Sequence, residues 1–311
     1  MMDMTDATLD DAPLTPAEAA AAFSYATYFD HPVKRSIVRV LETISGQPKM
    51  KKLYLRYREE LSHRETFWDA AVRLLKLDVR YDAARFDKIP ADGPLVIVAN
   101  HPFGVLDGVM ICWLIGLKRK DFKILTNSVL NQAPEVQPHI LPIDFAETPV
   151  AVRTNLKTRA DALAHLKDGG CIIVFPAGGI STAPTAFSRA AIDDVWKPFT
   201  AKLITQSGAS VTPVFFEGQN SRLFQWASHV SPVLRLSLVF REVKRRMGDR
   251  LNVHIGETMT PEDLKSAGKR DQMMKFLREC TYGLAPPKLQ RRIARAETRS
   301  AKKAEKADRP D

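Results

Sequence analysis

A histidine and an aspartate share one short turn of this sequence, in the stretch NHPFGVLDG from Asn100 to Gly108. The preceding residues, LVIVA, predict a buried strand, and the following GVMICWLIGL predicts a buried helix. Histidine can take up a proton near neutral pH, and a neighbouring carboxylate can fix its tautomer and stabilise the imidazolium that forms. His101 and Asp107 are therefore candidates for a general base and its orienting group, with a substrate hydroxyl as the nucleophile.

The same two residues also have a structural interpretation, in which His101 hydrogen-bonds within the turn and Asp107 caps the helix. Two further turns favour chemistry. VFPAGGIS, at 174–181, and VTPVFFEGQNS, at 211–221, each place glycine and polar residues directly after an apolar run. Because open α/β sheets bind ligands beyond the carboxyl ends of their strands, we expect the three turns to form one site.

The elements that must position these turns alternate along the chain. Apolar and alternating runs predict seven strands, at 77–83, 95–99, 122–126, 139–143, 171–175, 210–216 and 251–256. Helices are predicted between them, at 106–117, 148–169, 197–206, 220–247 (as one or two helices, or a long loop with a helix) and 260–282. This alternation predicts an α/β fold with a mixed, largely parallel sheet flanked by helices.

The ends of the chain differ in composition from this α/β region. Residues 1–14 are expected to be disordered, 15–76 to form a helical N-terminal layer facing the membrane, and 77–284 to form the α/β domain. Residues 285–311 are expected to be a basic C-terminal tail. From 288 onwards the tail holds nine basic and four acidic residues, a net charge of +5. A solvated, frayed tail is the simpler interpretation, and contact with a membrane or nucleic acid is the alternative.

The overall composition limits the partners. The 311 residues are 45% hydrophobic and carry a formal net charge of +10, which favours anionic partners such as phosphate groups, acidic carrier proteins or anionic lipid. No RNA-binding module is recognisable, so nucleic acid is not expected. The seven histidines include no close-set ligand pair, so no metal is expected. No secretory leader is visible, and no apolar run reaches the roughly 20 residues that span a bilayer, so a peripheral protein is expected.

In order and spacing, the three turns resemble the motif blocks of the PlsC-type glycerolipid acyltransferase superfamily, over about 95–225. NHPFGVLDG resembles the NHxxxxD block, with five residues instead of four between histidine and aspartate. That spacing is similar to the hemolysin-like and ornithine-lipid O-acyltransferase branch. FPAGGIS resembles the third block, FPEGTRS, and VTPV resembles the fourth, whereas LPID at 141–144 matches the second block only weakly.

The resemblance implies that 77–284 is an acyltransferase domain. Such an enzyme moves a fatty acyl group from a thioester of acyl carrier protein (acyl-ACP) or coenzyme A (acyl-CoA) to the hydroxyl of a lysolipid in the membrane. It implies that His101 is the general base, that Asp107 orients it, and that no cofactor is needed beyond the donor substrate. The residues to which it gives a substrate-binding role are Asn100, Phe103, Gly104, Phe175, Pro176, Gly178, Gly179, Ser181 and Asn220.

The third block departs from the family at two charged positions. Ala177 and Ile180 stand where phosphatidate-forming enzymes carry a glutamate and an arginine that help to hold the acceptor and its phosphate. Isoleucine cannot replace the bidentate hold of an arginine on a phosphate. We therefore expect a lyso-aminolipid acceptor, with an ornithine, glutamine or sulfur-containing amino head group, and a separate N-acyltransferase that supplies it.

Two alternatives remain open at this point. One is a lysophosphatidate (1-acylglycerol-3-phosphate) acyltransferase whose phosphate contacts have moved to Arg153, Arg159, Arg189 or Arg222. The other is a non-catalytic lipid-binding protein. The expected location is the cytoplasmic face of the bacterial inner membrane. Six aromatic residues are either core or part of the membrane-facing surface: Phe187, Trp196, Phe215, Phe216, Phe224 and Trp226.

Overall fold

A computed structural model gives the structure of residues 36, 46–127, 133–144, 148–185 and 188–307, with side chains described up to residue 301 except at 233. Within these residues seven strands form one sheet, and each overlaps a segment where the sequence predicts a strand. They are β1 Asp78–Arg80, β2 Leu95–Ala99, β3 Phe122–Asn127, β4 Ile140–Ile143, β5 Cys171–Val174, β6 Ser210–Phe216 and β7 Arg250–Ile255.

The strand order places three turns at one edge of the sheet. The order is β1-β7-β6-β2-β5-β3-β4, and every neighbouring pair is parallel except β6 and β7. The predicted mixed, largely parallel α/β fold is confirmed. Because β2 lies between β5 and β6 and runs parallel to both, the turns that follow these three strands leave the sheet on the same side.

Helices cover the sheet and connect its strands. They are α1 Gln47–Arg56, which continues as a π-helix over Tyr57–Leu61, α2 Phe67–Leu74, α3 Ala83–Asp87, α4 Val105–Gly116, α5 Pro149–Lys167, α6 Phe199–Ser207, α7 Arg222–Val230, α8 Pro232–Ser237, α9 Val239–Arg246, α10 Pro261–Lys265, α11 Arg270–Gly283 and α12 Pro287–Ala307. A short 3-10 helix, Gln137–His139, precedes β4.

The central strands are apolar at every position because both faces of the sheet are covered. All five residues of β2 and all four of β5 are buried. Leu95 and Ile97 pack with Met110 of α4 on one face, and Val96 packs with Leu277 of α11 on the other. Burial on both sides is typical of parallel strands and explains why these runs show no polar alternation.

Three helical segments differ from the prediction. Residues 222–246 form three helices, because Ser231 is extended and Pro232 then begins a new helix. The helix predicted from Thr260 is split, because Gly268 takes a φ of 82°, a left-handed conformation that ends helices. The expectation of a frayed tail is wrong over α12, in which Ile293 and Ala296 are buried beside Phe215.

The N-terminal layer is only partly visible. Residues 1–35 and 37–45 lie outside the described part of the chain, so the disorder expected at 1–14 and the helices expected at 15–46 stay predictions, as does the division into segments. Within the expected layer, α1 and α2 are present, and Tyr54 and Tyr57 pack there with Phe67. None of the helices in the described residues has the length and apolar character that a bilayer crossing requires.

Candidate active site

Hydrogen bonds join the three turns at the carboxyl edge of the sheet. The Ser181 N–H, after β5, donates to the His101 carbonyl, after β2, at 2.8 Å. The Asn100 side chain bonds both backbone groups of Phe216, the last residue of β6. Its amide donates to the Phe216 carbonyl at 3.0 Å and accepts from the Phe216 N–H at 2.7 Å. The three turns therefore form one connected surface.

His101 and Asp107 are in contact at this edge. His101 Nδ1 lies 3.0 Å from Asp107 Oδ2, and the Asp107 side chain is fully buried while that of His101 is 18% exposed. The same oxygen accepts hydrogen bonds from the N–H groups of Phe103, at 2.7 Å, and Gly104, at 2.9 Å. Asp107 Oδ2 is close to His101 Nδ1 but is not aligned with the direction of an Nδ1–H bond, so the two atoms do not form a regular hydrogen bond. Such misalignment is common in catalytic pairs without substrate.

The contacts of Asp107 are compatible with both sequence interpretations. Asp107 occupies the third position of α4, and its carboxylate caps the helix through the Gly104 N–H while it contacts His101. Gly104 has a φ of 77°, and a Cβ there would lie 2.7 Å from Ile180 Cδ1. A glycine is needed here, both for the turn and for the close approach of the third block.

Burial and hydrogen bonding act on the Asp107 carboxyl in opposite directions. Burial raises its pKa above the ordinary value, while His101 and the N–H groups of Phe103 and Gly104 pull it down. A carboxylate without water is stabilised most by a nearby cation. A proton that arrives on His101 therefore gains a buried counter-charge 3.0 Å away.

The third block closes over the histidine ring. The Phe175 ring stacks on the His101 imidazole with 4.0 Å between ring centroids and 24° between ring planes. The turn is formed by the Gly178 N–H, which donates to the Phe175 carbonyl at 3.0 Å. Gly178 and Gly179 are exposed. Their backbone lies between two residues that touch His101, which is where the sequence placed substrate-binding groups.

Four other residues predicted to bind substrate are buried in the fold. Asn100 is buried and uses its amide on Phe216, so its observed role is to join β2 to β6. Phe103 is 1% exposed and packs against Gly218, and Pro176 is also buried. Asn220 is buried as well, but neither atom of its amide has a hydrogen-bond partner among the described residues.

Sequence reasoning missed Asp193, a buried carboxylate that bonds the backbone of the histidine turn. Its Oδ1 accepts from the His101 N–H at 3.2 Å and from the Ser181 hydroxyl at 2.5 Å. Its Oδ2 accepts from Trp196 Nε1 at 2.9 Å, and its backbone N–H donates to the Tyr282 hydroxyl at 2.8 Å. Asp193 lies outside the motif blocks in a segment without periodicity, so only the tertiary contacts identify it.

No three His, Cys, Asp or Glu side chains in the described part of the chain are grouped to hold a metal ion. A cavity of about 550 Å³ is lined by Arg85, Pro213 and His254 among others, and its lining includes neither His101 nor Asp107. The cavity is therefore separate from the His101–Asp107 pair.

Comparison with known proteins identifies the family of this chain. A family model described as acyltransferase matches residues 36–288. The chain is 22% identical over 218 residues to a lyso-glycine lipid O-acyltransferase of Phocaeicola vulgatus, covering 67% of this chain and 74% of that protein. It is 30% identical over 161 residues to the protein of the same name in Bacteroides thetaiotaomicron, covering 51% of this chain and 56% of that protein.

Among solved structures, the 1-acyl-sn-glycerophosphate (LPA) acyltransferase PlsC from Thermotoga maritima aligns over 83% of each chain, with a TM-score of 0.46 and 17% identity. The family model covers well over half of this chain. The chain therefore belongs to the acyltransferase family, and it is an acyltransferase.

Asp193→Asn should slow acyl transfer by about 10- to 100-fold in kcat, because a neutral amide holds the His101 N–H and the Ser181 hydroxyl less strongly than a carboxylate does. The KM for the acceptor should change only a few-fold, since Asp193 positions the turn without touching substrate. Steady-state kinetics on purified, folded protein checks this. Asp194→Asn is the matched control, because Asp194 is exposed and accepts a hydrogen bond from Val195 N–H. Equal kcat values for the two variants would contradict a positioning role.

Proposed function

We propose that this acyltransferase is a lysolipid O-acyltransferase whose acceptor is a lyso-aminolipid, an amino acid carrying a 3-hydroxy fatty amide with a free hydroxyl. The observation that carries the proposal is the His101–Asp107 contact beside a turn in which Ala177 and Ile180 replace the charged residues of phosphatidate-forming enzymes. The names of the two relatives support an amino-acid head group and add glycine to the ornithine, glutamine and sulfur-containing candidates.

In the proposed mechanism, His101 takes the proton of the acceptor hydroxyl as its oxygen attacks the thioester carbonyl. With Nδ1 turned to Asp107, Nε2 is the ring nitrogen left for that hydroxyl. Asp107 stabilises the imidazolium, and backbone N–H groups near Gly178 and Gly179 are the candidates to stabilise the tetrahedral oxyanion. Collapse of the intermediate forms the ester and expels the thiolate, which takes the proton back from His101.

The donor is an acyl thioester, on acyl carrier protein or coenzyme A. The net charge of +10 favours an acidic carrier protein, since opposite charges speed association. No other cofactor enters this mechanism. A separate N-acyltransferase supplies the lysolipid, because the proposed reaction forms an ester and leaves the amide bond as it finds it.

Both alternatives have less support from the site. Each of the four arginines offered as relocated phosphate contacts, Arg153, Arg159, Arg189 and Arg222, is exposed. Arg159 lies over the Phe199 ring, with 5.0 Å from its guanidinium carbon to the ring centroid. A lipid-binding protein without activity would have no need to keep a buried carboxylate against an accessible histidine, since that arrangement costs stability.

The proposed location is peripheral, on the cytoplasmic face of the inner membrane. In α7, Leu223, Trp226 and Val230 are 44%, 52% and 54% exposed and share one face of the helix, while Phe224 is buried on the other. Because α7 follows β6, this apolar face stands at the edge of the sheet that holds His101. It can enter the interfacial region of a bilayer and bring the site to a lipid acceptor.

The aromatic residues divide accordingly between core and surface. Trp226 is exposed, and Phe187 lies outside the described residues. The buried ones are Trp196, Phe215, Phe216 and Phe224.

Lipid extracts test the acceptor class and the base together. In a strain that lacks the gene, a diacyl aminolipid should disappear and its lyso form accumulate, and mass spectrometry should show rescue by wild type but not by His101→Ala. Without the imidazole, the acceptor hydroxyl keeps its proton and remains a weak nucleophile. His63→Ala, at an exposed histidine outside the three turns, should rescue fully. A change confined to phosphatidate-derived lipids would favour the lysophosphatidate alternative, and full rescue by His101→Ala would refute the mechanism.

Replacing the apolar face of α7 tests the membrane contact. Leu223→Glu combined with Trp226→Glu should weaken binding to phosphatidylglycerol-containing vesicles by at least about tenfold, because each change removes apolar area that lipid would cover. Vesicle flotation measures the bound fraction. Leu117→Glu serves as the control, because Leu117 is 46% exposed and follows the far end of α4. Equal loss of binding in the control, or no loss in the α7 variant, would contradict this orientation.

A further inference from the structure

Arg235, on α8, is a partly buried cation with no acidic partner in the described part of the chain. Its Nη2 donates to the Ile180 carbonyl at 2.5 Å, and its guanidinium carbon lies 5.8 Å from the centroid of the Phe224 ring. No Asp or Glu among the described residues forms an ion pair with it. Other arginines of low exposure do have such partners, as in the pairs Arg119–Asp121, Arg246–Asp249 and Arg278–Glu297.

The surroundings of Arg235 make an added anion favourable. Burial lowers the pKa of its guanidinium, and no neighbouring acid offsets this, although an arginine keeps its proton in proteins. Its hydrogen bond to Ile180 uses one of five N–H donors, and the planar fork can offer a pair of the others to two oxygens of one anion. A bound oxyanion would therefore compensate a charge that the fold leaves without a partner.

The position of Arg235 ties it to the active site. It bonds the carbonyl of Ile180, the residue that stands where phosphatidate-forming relatives carry their arginine. The next residue, Ser181, bonds the His101 carbonyl through its N–H, and Ile180 packs against Gly104 of the histidine turn. The charge missing from the third block is thus supplied next to that block by a different element, α8.

Two buried amide side chains stand at or near the start of α7, the helix whose Phe224 contacts Arg235, and have polar atoms without partners among the described residues. Asn220, which directly precedes Ser221 at the start of α7, is 2% exposed, and both polar atoms of its side chain are unpaired. Gln225 is 2% exposed too; its Oε1 accepts from the Ala183 N–H at 2.8 Å, while its Nε2 is unpaired. Buried polar groups of this kind are costly unless a ligand or water meets them.

We propose that Arg235 binds the anionic head group of the acceptor, with Asn220 as a second hydrogen-bonding group. This inference rests on the proposed function and specifies the acceptor further, as a lysolipid with an oxyanion at its head group. In a lyso-aminolipid the oxyanion is the free carboxylate of the amino acid. The phosphate of lysophosphatidate offers the same chemistry, so the experiment has to distinguish the two sources.

The test compares kcat/KM for three acceptors: N-(3-hydroxyacyl)glycine, its methyl ester, which lacks the charge, and lysophosphatidate. Wild type should prefer the acid over the ester by about 10- to 100-fold, the range expected for hydrogen bonds to a charged group. Arg235→Gln should bring this ratio close to one by slowing the acid only. Because both kcat/KM values in the ratio are measured on the same variant, a lower fraction of folded protein reduces both equally and leaves the ratio unchanged.

Two further variants refine the comparison. Arg235→Lys keeps the charge but loses the fork, so its acid-to-ester ratio should fall between those of wild type and Arg235→Gln. Arg222→Gln, at an exposed arginine of the adjacent helix, should leave the ratio unchanged.

The outcomes separate the two proposals. An acid-to-ester ratio near one in wild type, or a ratio unaffected by Arg235→Gln, would overturn the anion site while the lyso-aminolipid acceptor stands. Transfer to lysophosphatidate only, and its loss in Arg235→Gln, would contradict the lyso-aminolipid acceptor but support the role of Arg235.

Discussion

The buried carboxylate of Asp107 is the group on which the active-site edge depends. A charge with no access to water needs partners, and Asp107 has two backbone N–H groups and the His101 imidazole within 3.0 Å. Those partners fix the turn after β2, the start of α4 and the direction of the histidine ring. Burying the Asp107 charge costs free energy, and the contacts that offset this cost also hold the proposed base, His101, in place.

The parallel sheet brings the turns after β5 and β6 next to the His101–Asp107 pair. With β2 between β5 and β6, the Phe175 ring can stack on His101, and Asn100 can hold the end of β6. A second buried carboxylate, Asp193, holds the backbone of His101 from the side of the third block and is itself bonded to Tyr282 of α11. Two buried acids on separate segments of the chain, Asp107 and Asp193, therefore contact the His101 turn.

How much of the structure the sequence predicts depends on how far apart in the chain the interacting residues lie. Apolar and alternating runs identify all seven strands, and the His101–Asp107 pair follows from its spacing and from the family resemblance. The helical packing of Ile293, the break at Gly268 and the contacts of Asp193 and Arg235 depend on tertiary neighbours or on one glycine's backbone conformation. The structural role of Asn100 was missed for the same reason, since its partner, Phe216, lies 116 residues away in the chain.

The most direct measurement of the central claim is the rate of acyl transfer by purified Asp107→Asn across the neutral pH range. Asparagine nearly preserves size but removes the charge, and its amide can present an N–H to the imidazole, which favours the wrong tautomer. The account predicts a loss of about 10³- to 10⁴-fold in kcat/KM at every pH, as in other histidine–aspartate pairs, with the circular dichroism spectrum unchanged. A folded variant within about tenfold of wild type would contradict the role given to Asp107.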